Sequence, residues 1–296
     1  MSILVRRIVI CVLGILAGLF CWPVVEIIVF HQVLFPSYFI FNLVLGAACG
    51  FIIGAFFGTA EAITSMLKER VLNGALVGAL IGIVGGVAGF IIGQGVLFIV
   101  GELLFTSTRN FNYIGLPLAR AVGWSVLGIF IGASEGLRAG SVKKIGIGIL
   151  GGFIGGLIGG SVLEYSRVIF KDVMYTRLAG LIIFGFFIGL FYSIVERTLS
   201  HGIIRVLNGN LKGKEILINQ NRLRIGQSKK CELRFKDYRR VSDLHAEIRR
   251  KGNELILSES EKKAPIYIND VLMKQRILKY EDVIKIGTVK LYYNYE

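Results

Sequence analysis

The chain of 296 residues is 54% hydrophobic and only 18% charged, with a mean hydropathy of +0.66 and a net charge of +14. Globular chains carry about 25% charged residues, so a single water-soluble domain is excluded. The charge is also uneven: residues 1–200 hold 13 Lys/Arg and 8 Asp/Glu, whereas residues 201–296 hold 21 and 12. That shift predicts a membrane domain over residues 1–200 and a soluble domain over residues 203–296.

An apolar run of about 20 residues crosses the hydrocarbon layer as a helix. Six such runs are predicted, over residues 8–30, 38–59, 75–105, 117–136, 145–164 and 178–196. The first follows Arg6 and Arg7 but lacks a small-x-small cleavage site, so it reads as a retained anchor. Short-loop Lys and Arg set orientation. Placing both termini in the cytosol of a cell-membrane protein puts Arg6, Arg7, Lys68, Arg70, Arg138, Lys143, Lys144 and Arg197 on the inner side. Arg109 then stands alone in one outer loop, and the loop 165–177, with Arg167, Lys171 and Arg177 outside, is the exception.

Glycines recur at fixed spacing. Gly54-x3-Gly58-x2-Glu61 returns 74 residues later as Gly128-x3-Gly132-x2-Glu135, and Gly189-x3-Ser193-x2-Glu196 is a third copy. The same offset carries Gly74, Gly78, Gly82 and Gly86 onto Gly148, Gly152, Gly156 and Gly160. Three helical hairpin repeats are expected. Glycine at every fourth position flattens one helix face so that another backbone, from the same chain or a second copy, can approach closely. The alternative is a helix bundle around a water path. Glu61, Glu135 and Glu196 sit at the predicted cytosolic ends of their spans, either paired with nearby cations or forming a ring of acids. Glu26 and Glu102 are expected nearer the opposite edge.

From Ile203 the pattern changes to short apolar runs parted by polar turns at about 8–12-residue intervals, the mark of an antiparallel sandwich. Four segments then appear in order: Arg224-Ile225-Gly226-Gln227-Ser228, Val241-Ser242-Asp243-Leu244-His245-Ala246-Glu247-Ile248, Ile266-Tyr267-Ile268-Asn269-Asp270 and Asp282-Val283-Ile284-Lys285-Ile286-Gly287. In order and spacing they resemble the forkhead-associated (FHA) family over residues 203–296.

The resemblance implies an eleven-stranded sandwich whose loops at one end bind phosphothreonine peptides. It implies that Gly226 begins a binding loop, that Ser242 contacts phosphate, that His245 props the loop, and that Asn269 stands for a later family asparagine. Ser228 belongs to the same loop. The pattern departs where charge matters: the family's two arginines are Gln227 and Asp243, and its asparagine-glycine-threonine triplet is Ala264-Pro265-Ile266. A phosphate dianion favours charge-assisted, bidentate donors, which a neutral amide and a carboxylate do not supply. Lys229, Lys230, Arg239 and Arg240 are replacement cations or a solvated basic rim. Phosphopeptide binding, a phosphate-independent protein surface and a purely structural module all remain open.

The three histidines and four cysteines have no metal-ligand or redox spacing, and no nucleophile elbow or phosphate-cradling lysine motif occurs. No metal, cofactor, enzymatic activity or nucleic-acid partner is expected. The leading expectation is a non-enzymatic membrane scaffold presenting a recognition domain to a cytosolic protein. Its rival is a channel or transporter regulated by that domain.

Overall fold

The computed structural model describes residues 2–64, 71–104, 111–170, 173–228, 231–236, 238–252, 254–260 and 265–294. They divide into two compact units, one of residues 6–198 and one of residues 199–296 together with residues 1–5. Each is described by itself.

The first unit is helical: α1 (Ile3–Phe30), α2 (Tyr38–Thr64), α3 (Val71–Leu104), α4 (Leu116–Ala139), α5 (Val142–Ile169) and α6 (Val173–Thr198). All six are long and apolar enough to cross a membrane. They outrun the apolar windows read from the sequence, because backbone hydrogen bonding continues through the polar residues at their ends. Arg167 and Arg177, expected in a loop, therefore lie on α5 and α6. Arg177 pairs there with Glu26 at 2.8 Å, and Arg167 with Glu164 at 3.4 Å.

The helices meet along glycine seams. A Cβ at Gly54 would lie 2.2 Å from the Gly78 carbonyl oxygen, and one at Gly58 would lie 2.1 Å from that of Gly74. Gly82 opposes Gly50, and Gly86 opposes Gly46, along the same α2–α3 line. Between α4 and α5 the corresponding pairs are Gly128 with Gly152 and Gly132 with Gly148, at 2.2 and 2.0 Å. Further along this second seam Gly156 packs on the Trp124 backbone and Gly160 on the Trp124 side chain. The third seam joins α6 to α1, where Gly185 faces Gly14 and Gly189 faces Ile10. Glycines also meet the neighbouring backbone between α3 and α4, where Gly89 faces Gly123, and between α5 and α6, where Gly155 faces Phe187 and Ile188. These contacts bring backbones together where any side chain would force them apart, which is the geometry that packs helices in lipid.

Glu196, 3% exposed, accepts from Arg6 at 2.7 Å, and Glu61 pairs with Lys144 at 3.1 Å. The side chains of Glu102, Glu135 and Arg138 and residues Lys68, Arg70, Arg109 and Lys171 lie outside the described residues.

The second unit is a β-sandwich of eleven strands. One sheet has the order β2 (Glu215–Leu217), β1 (Ile203–Val206), β11 (Val289–Asn294), β10 (Val283–Ile286), β7 (Ile266–Ile268), β8 (Val271–Met273). The other runs β4 (Leu233–Arg234), β3 (Arg222–Gly226), β5 (Ala246–Lys251), β6 (Glu254–Glu259), β9 (Gln275–Ile277). Strand pairs are antiparallel except β3 with β4. Alternate residues point inward: Ile204 and Val206, Ile284 and Ile286, and Val289, Leu291 and Tyr293 meet Leu223, Ile225, Ile248 and Leu257 in one core.

Candidate functional site

The site is built from the three loops at the end of the sandwich where β3 stops, β5 starts and β10 turns into β11. Ile203 pairs with Asn294, and Ile286 with Val289. The loops therefore lie at the opposite end from the one where the chain enters β1.

Gly226 closes β3 where the backbone of the 242–243 segment crosses it. A Cβ there would sit 2.2 Å from the Asp243 carbonyl oxygen, so only glycine fits. The crossing is held by the Gln227 N–H donating to the Ser242 carbonyl at 3.0 Å and the Ser228 N–H to that of Asp243 at 3.1 Å.

His245, 1% exposed, locks the second loop from beneath. The Ser242 N–H donates to its Nδ1 at 3.1 Å, and its Nε2 meets the Pro265 carbonyl at 3.2 Å. An acceptor at one nitrogen and a donor at the other defines the neutral Nε2–H tautomer. One imidazole thereby ties the loop before β5 to the segment before β7.

The third loop is fixed at Gly287, whose φ of +56° and closeness to the Arg240 carbonyl demand glycine. Thr288 donates to the Arg239 carbonyl through both N–H and hydroxyl, at 3.2 and 3.1 Å. Arg240 itself takes a left-handed φ of +58° at the exposed tip. Asn208 and Tyr238, which no motif marked, brace the same end. The Tyr238 hydroxyl donates to the Asn208 carbonyl at 2.8 Å, and the Asn208 amide donates to the Thr288 carbonyl at 2.7 Å.

Gly226, Gln227, Ser228, Ser242, His245 and Arg240 are thus gathered at one end. Asn269 is not among them. It occupies the β7–β8 turn with φ of +51°, beyond Ile268, whereas Pro265 and the loops adjoin Ile266 at the other end of the strand. Its amide donates to Asp282 at 2.9 Å and its oxygen accepts from the Val283 N–H at 2.9 Å. Both halves of the side chain hold a turn. Lys229, Lys230 and Ala264 lie outside the described residues.

Chemically, the loop end differs from a phosphate cradle. The amide nitrogen of Gln227 donates to the Tyr238 carbonyl at 3.0 Å, bracing the loop from within. Asp243 is exposed, so a carboxylate stands beside Ser242. The Cys231 thiol is pushed up by burial and then by the neighbouring Glu232 carboxylate, which keeps it protonated and inert.

On the flank of β5, Glu247 of the second motif, to which the sequence assigned no role, is 4% exposed between Arg222 and Arg249. Burial acts to raise this carboxyl, but hydrogen bonds from Arg249 and Arg222 outweigh it and hold the group below the usual carboxylate range.

Residues 205–295 match the family model described as the inner membrane component of T3SS, cytoplasmic domain. The C-terminal segment resembles FHA domains. A protein from Synechocystis sp. is 24% identical, over 32% of this chain and 95% of that one, with a TM-score of 0.29. The FHA domain of CT664 from Chlamydia trachomatis is 18% identical, over 32% and 97%, with a TM-score of 0.30. The cytoplasmic domain of the T3SS sorting platform protein PscD from P. aeruginosa is 16% identical, over 31% and 78%, with a TM-score of 0.29. No curated protein matches the chain.

Proposed function

We propose that this chain is a non-enzymatic membrane scaffold whose helical part anchors an FHA-like domain that docks a cytosolic protein without requiring phosphate. The observation that carries this reading is the engagement of Gln227. At the position of a family arginine stands a neutral amide committed to the Tyr238 carbonyl, and the second arginine position is the exposed carboxylate of Asp243. At these two positions a dianion meets an engaged amide and a like charge where bidentate donors would be favoured. The braced backbone nevertheless keeps the loops in place, which suits a protein-recognition surface. Cation-paired Glu61 and Glu196 favour the anchor over a ring of ion-binding acids.

Both termini are placed in the cytosol, with residues 1–200 as the membrane domain and residues 203–296 as the soluble one. Support comes from the Lys/Arg distribution, from six membrane-length helices, and from a family model that describes a membrane component's cytoplasmic domain. Affinity capture from the cytosol with the full chain in detergent, with and without phosphatase, tests the mode of binding. A partner retained after phosphatase treatment supports this reading, and one lost overturns it. Reporter fusions at residues 35 and 205 should report opposite sides of the membrane, and the same side for both would overturn the topology.

A further inference from the structure

At the end of the helical bundle where α1, α3 and α5 finish and α2, α4 and α6 begin, all six helices border a cavity of about 260 Å³. Its inner wall is apolar or glycine, with Leu45, Gly46, Gly89, Leu127 and Leu163. Its outer part carries charge. Arg120, Arg167, Arg177 and Glu164 line it, and Glu26 adjoins it through Arg177.

The five charges are unequally matched. Arg177 is tightly engaged, with Nη2 donating to Glu26 at 2.9 Å. Arg120 and Arg167 share the single carboxylate of Glu164, at 3.5 and 3.4 Å, while Trp124 donates to the same carboxylate at 2.9 Å. Glu164 is 4% exposed, whereas each of these two arginines is 33% exposed. Among the described residues three guanidiniums thus face two carboxylates, and the two loosely held ones keep donors free to turn. A charge within a membrane-spanning bundle is expensive and is kept for a function. Guanidinium forks match the oxygens of phosphate in particular.

We propose that this cavity binds a phosphate group whose negative charge is not cancelled by an ammonium, carried on an anionic lipid head group or free in solution, with Arg120 and Arg167 as its donors and the apolar wall receiving the attached chain. The bound monoanion balances the surplus positive charge, and Glu164 holds the two forks open towards it.

Tryptophan supplies the probe. The chain has two tryptophans, so Trp22→Phe leaves Trp124, which borders the cavity, as sole fluorophore. Full-length protein in mixed micelles is titrated with phosphatidylglycerol and, separately, phosphatidylcholine, both brominated at the acyl chain, and with inorganic phosphate as competitor. Brominated phosphatidylglycerol should quench Trp124 at roughly a tenfold lower mole fraction than phosphatidylcholine, the scale expected of a hydrogen bond to a charged group. Competition by inorganic phosphate supports the same site. A phosphate-induced change in Trp124 emission without preferential lipid quenching assigns it to a soluble anion. Arg120→Gln with Arg167→Gln should abolish the preference in protein that still elutes as a folded species. Should that variant not fold, Leu45→Phe fills the cavity without touching a charge and should weaken quenching by the anionic lipid. Equal quenching by both lipids with no response to phosphate overturns the proposal, as does a preference that survives in the folded arginine variant or in Leu45→Phe.

Discussion

The side-chain amide of Gln227 donates to the backbone carbonyl of Tyr238 across 3.0 Å, so the residue at a family arginine position serves the loop's own architecture. Wild type should show no detectable affinity for phosphothreonine peptides. Replacing Gln227→Arg, Asp243→Arg and Ala264→Asn together restores two cations and an amide, and should create phosphate-dependent binding. Titration of a phosphothreonine peptide library against wild type and triple variant checks both halves. Strong binding by wild type would defeat the phosphate-independent reading.

His245→Ala should destabilise the sandwich by about 1–2 kcal/mol, because it removes the hydrogen bonds to the Ser242 N–H and the Pro265 carbonyl and empties a buried position. Urea unfolding of residues 199–296 should show a lower midpoint at an unchanged slope. Asn269→Ala should also destabilise, through loss of its bonds to Asp282 and Val283, while leaving partner capture intact. Loss of capture in a folded Asn269→Ala variant would place the residue in the binding surface.

Gly152→Leu should abolish accumulation or detergent stability of the full chain, since its first side-chain carbon would lie 2.0 Å from the Gly128 carbonyl oxygen. Gly78→Leu should behave alike. Gly146, on the same helix as Gly152, has nothing within 4 Å of an added Cβ, so Gly146→Ala should be tolerated and even gain several tenths of a kcal/mol in helix propensity. Fluorescence-detected size exclusion after heating distinguishes the three.

Glu247 predicts an acid-sensitive contribution to stability. Its folded pKa is held below the unfolded value, so the unfolded state binds the proton more readily. The contribution is fully present above the unfolded pKa of about 4.3 and is lost as pH falls through the folded pKa. The urea midpoint of residues 199–296 should therefore fall more steeply between pH 5 and pH 3 for wild type than for Glu247→Gln. Parallel profiles would mean that the two exposed arginines contribute nothing.

Much of this was legible in the residues, for physical reasons that differ between the halves. Six helices follow from six apolar runs of bilayer length, and the sandwich follows from alternating burial and four ordered motifs. The helix ends were less so: hydropathy sees only what lipid requires, so Arg167 and Arg177 read as loop cations. Their partners, Glu164 and Glu26, are distant or ambiguous in sequence and meet them only in the packed bundle. Asn269 read as a binding residue because the motif preserves identity, whereas its bond to Asp282 depends on the return of β10 beside β7. The bracing of Gln227 by Tyr238 left no mark at all, since a backbone carbonyl has no sequence signature.

The seam between Gly14 and Gly185 has a consequence for biogenesis. Translation delivers α1 before α6, so the Gly14 face of α1 stays uncovered while the four helices between them are made. Closure of this seam therefore depends on synthesis of α6. A ribosome stalled before Gly185 leaves the Gly14 face of α1 without the backbone that covers it.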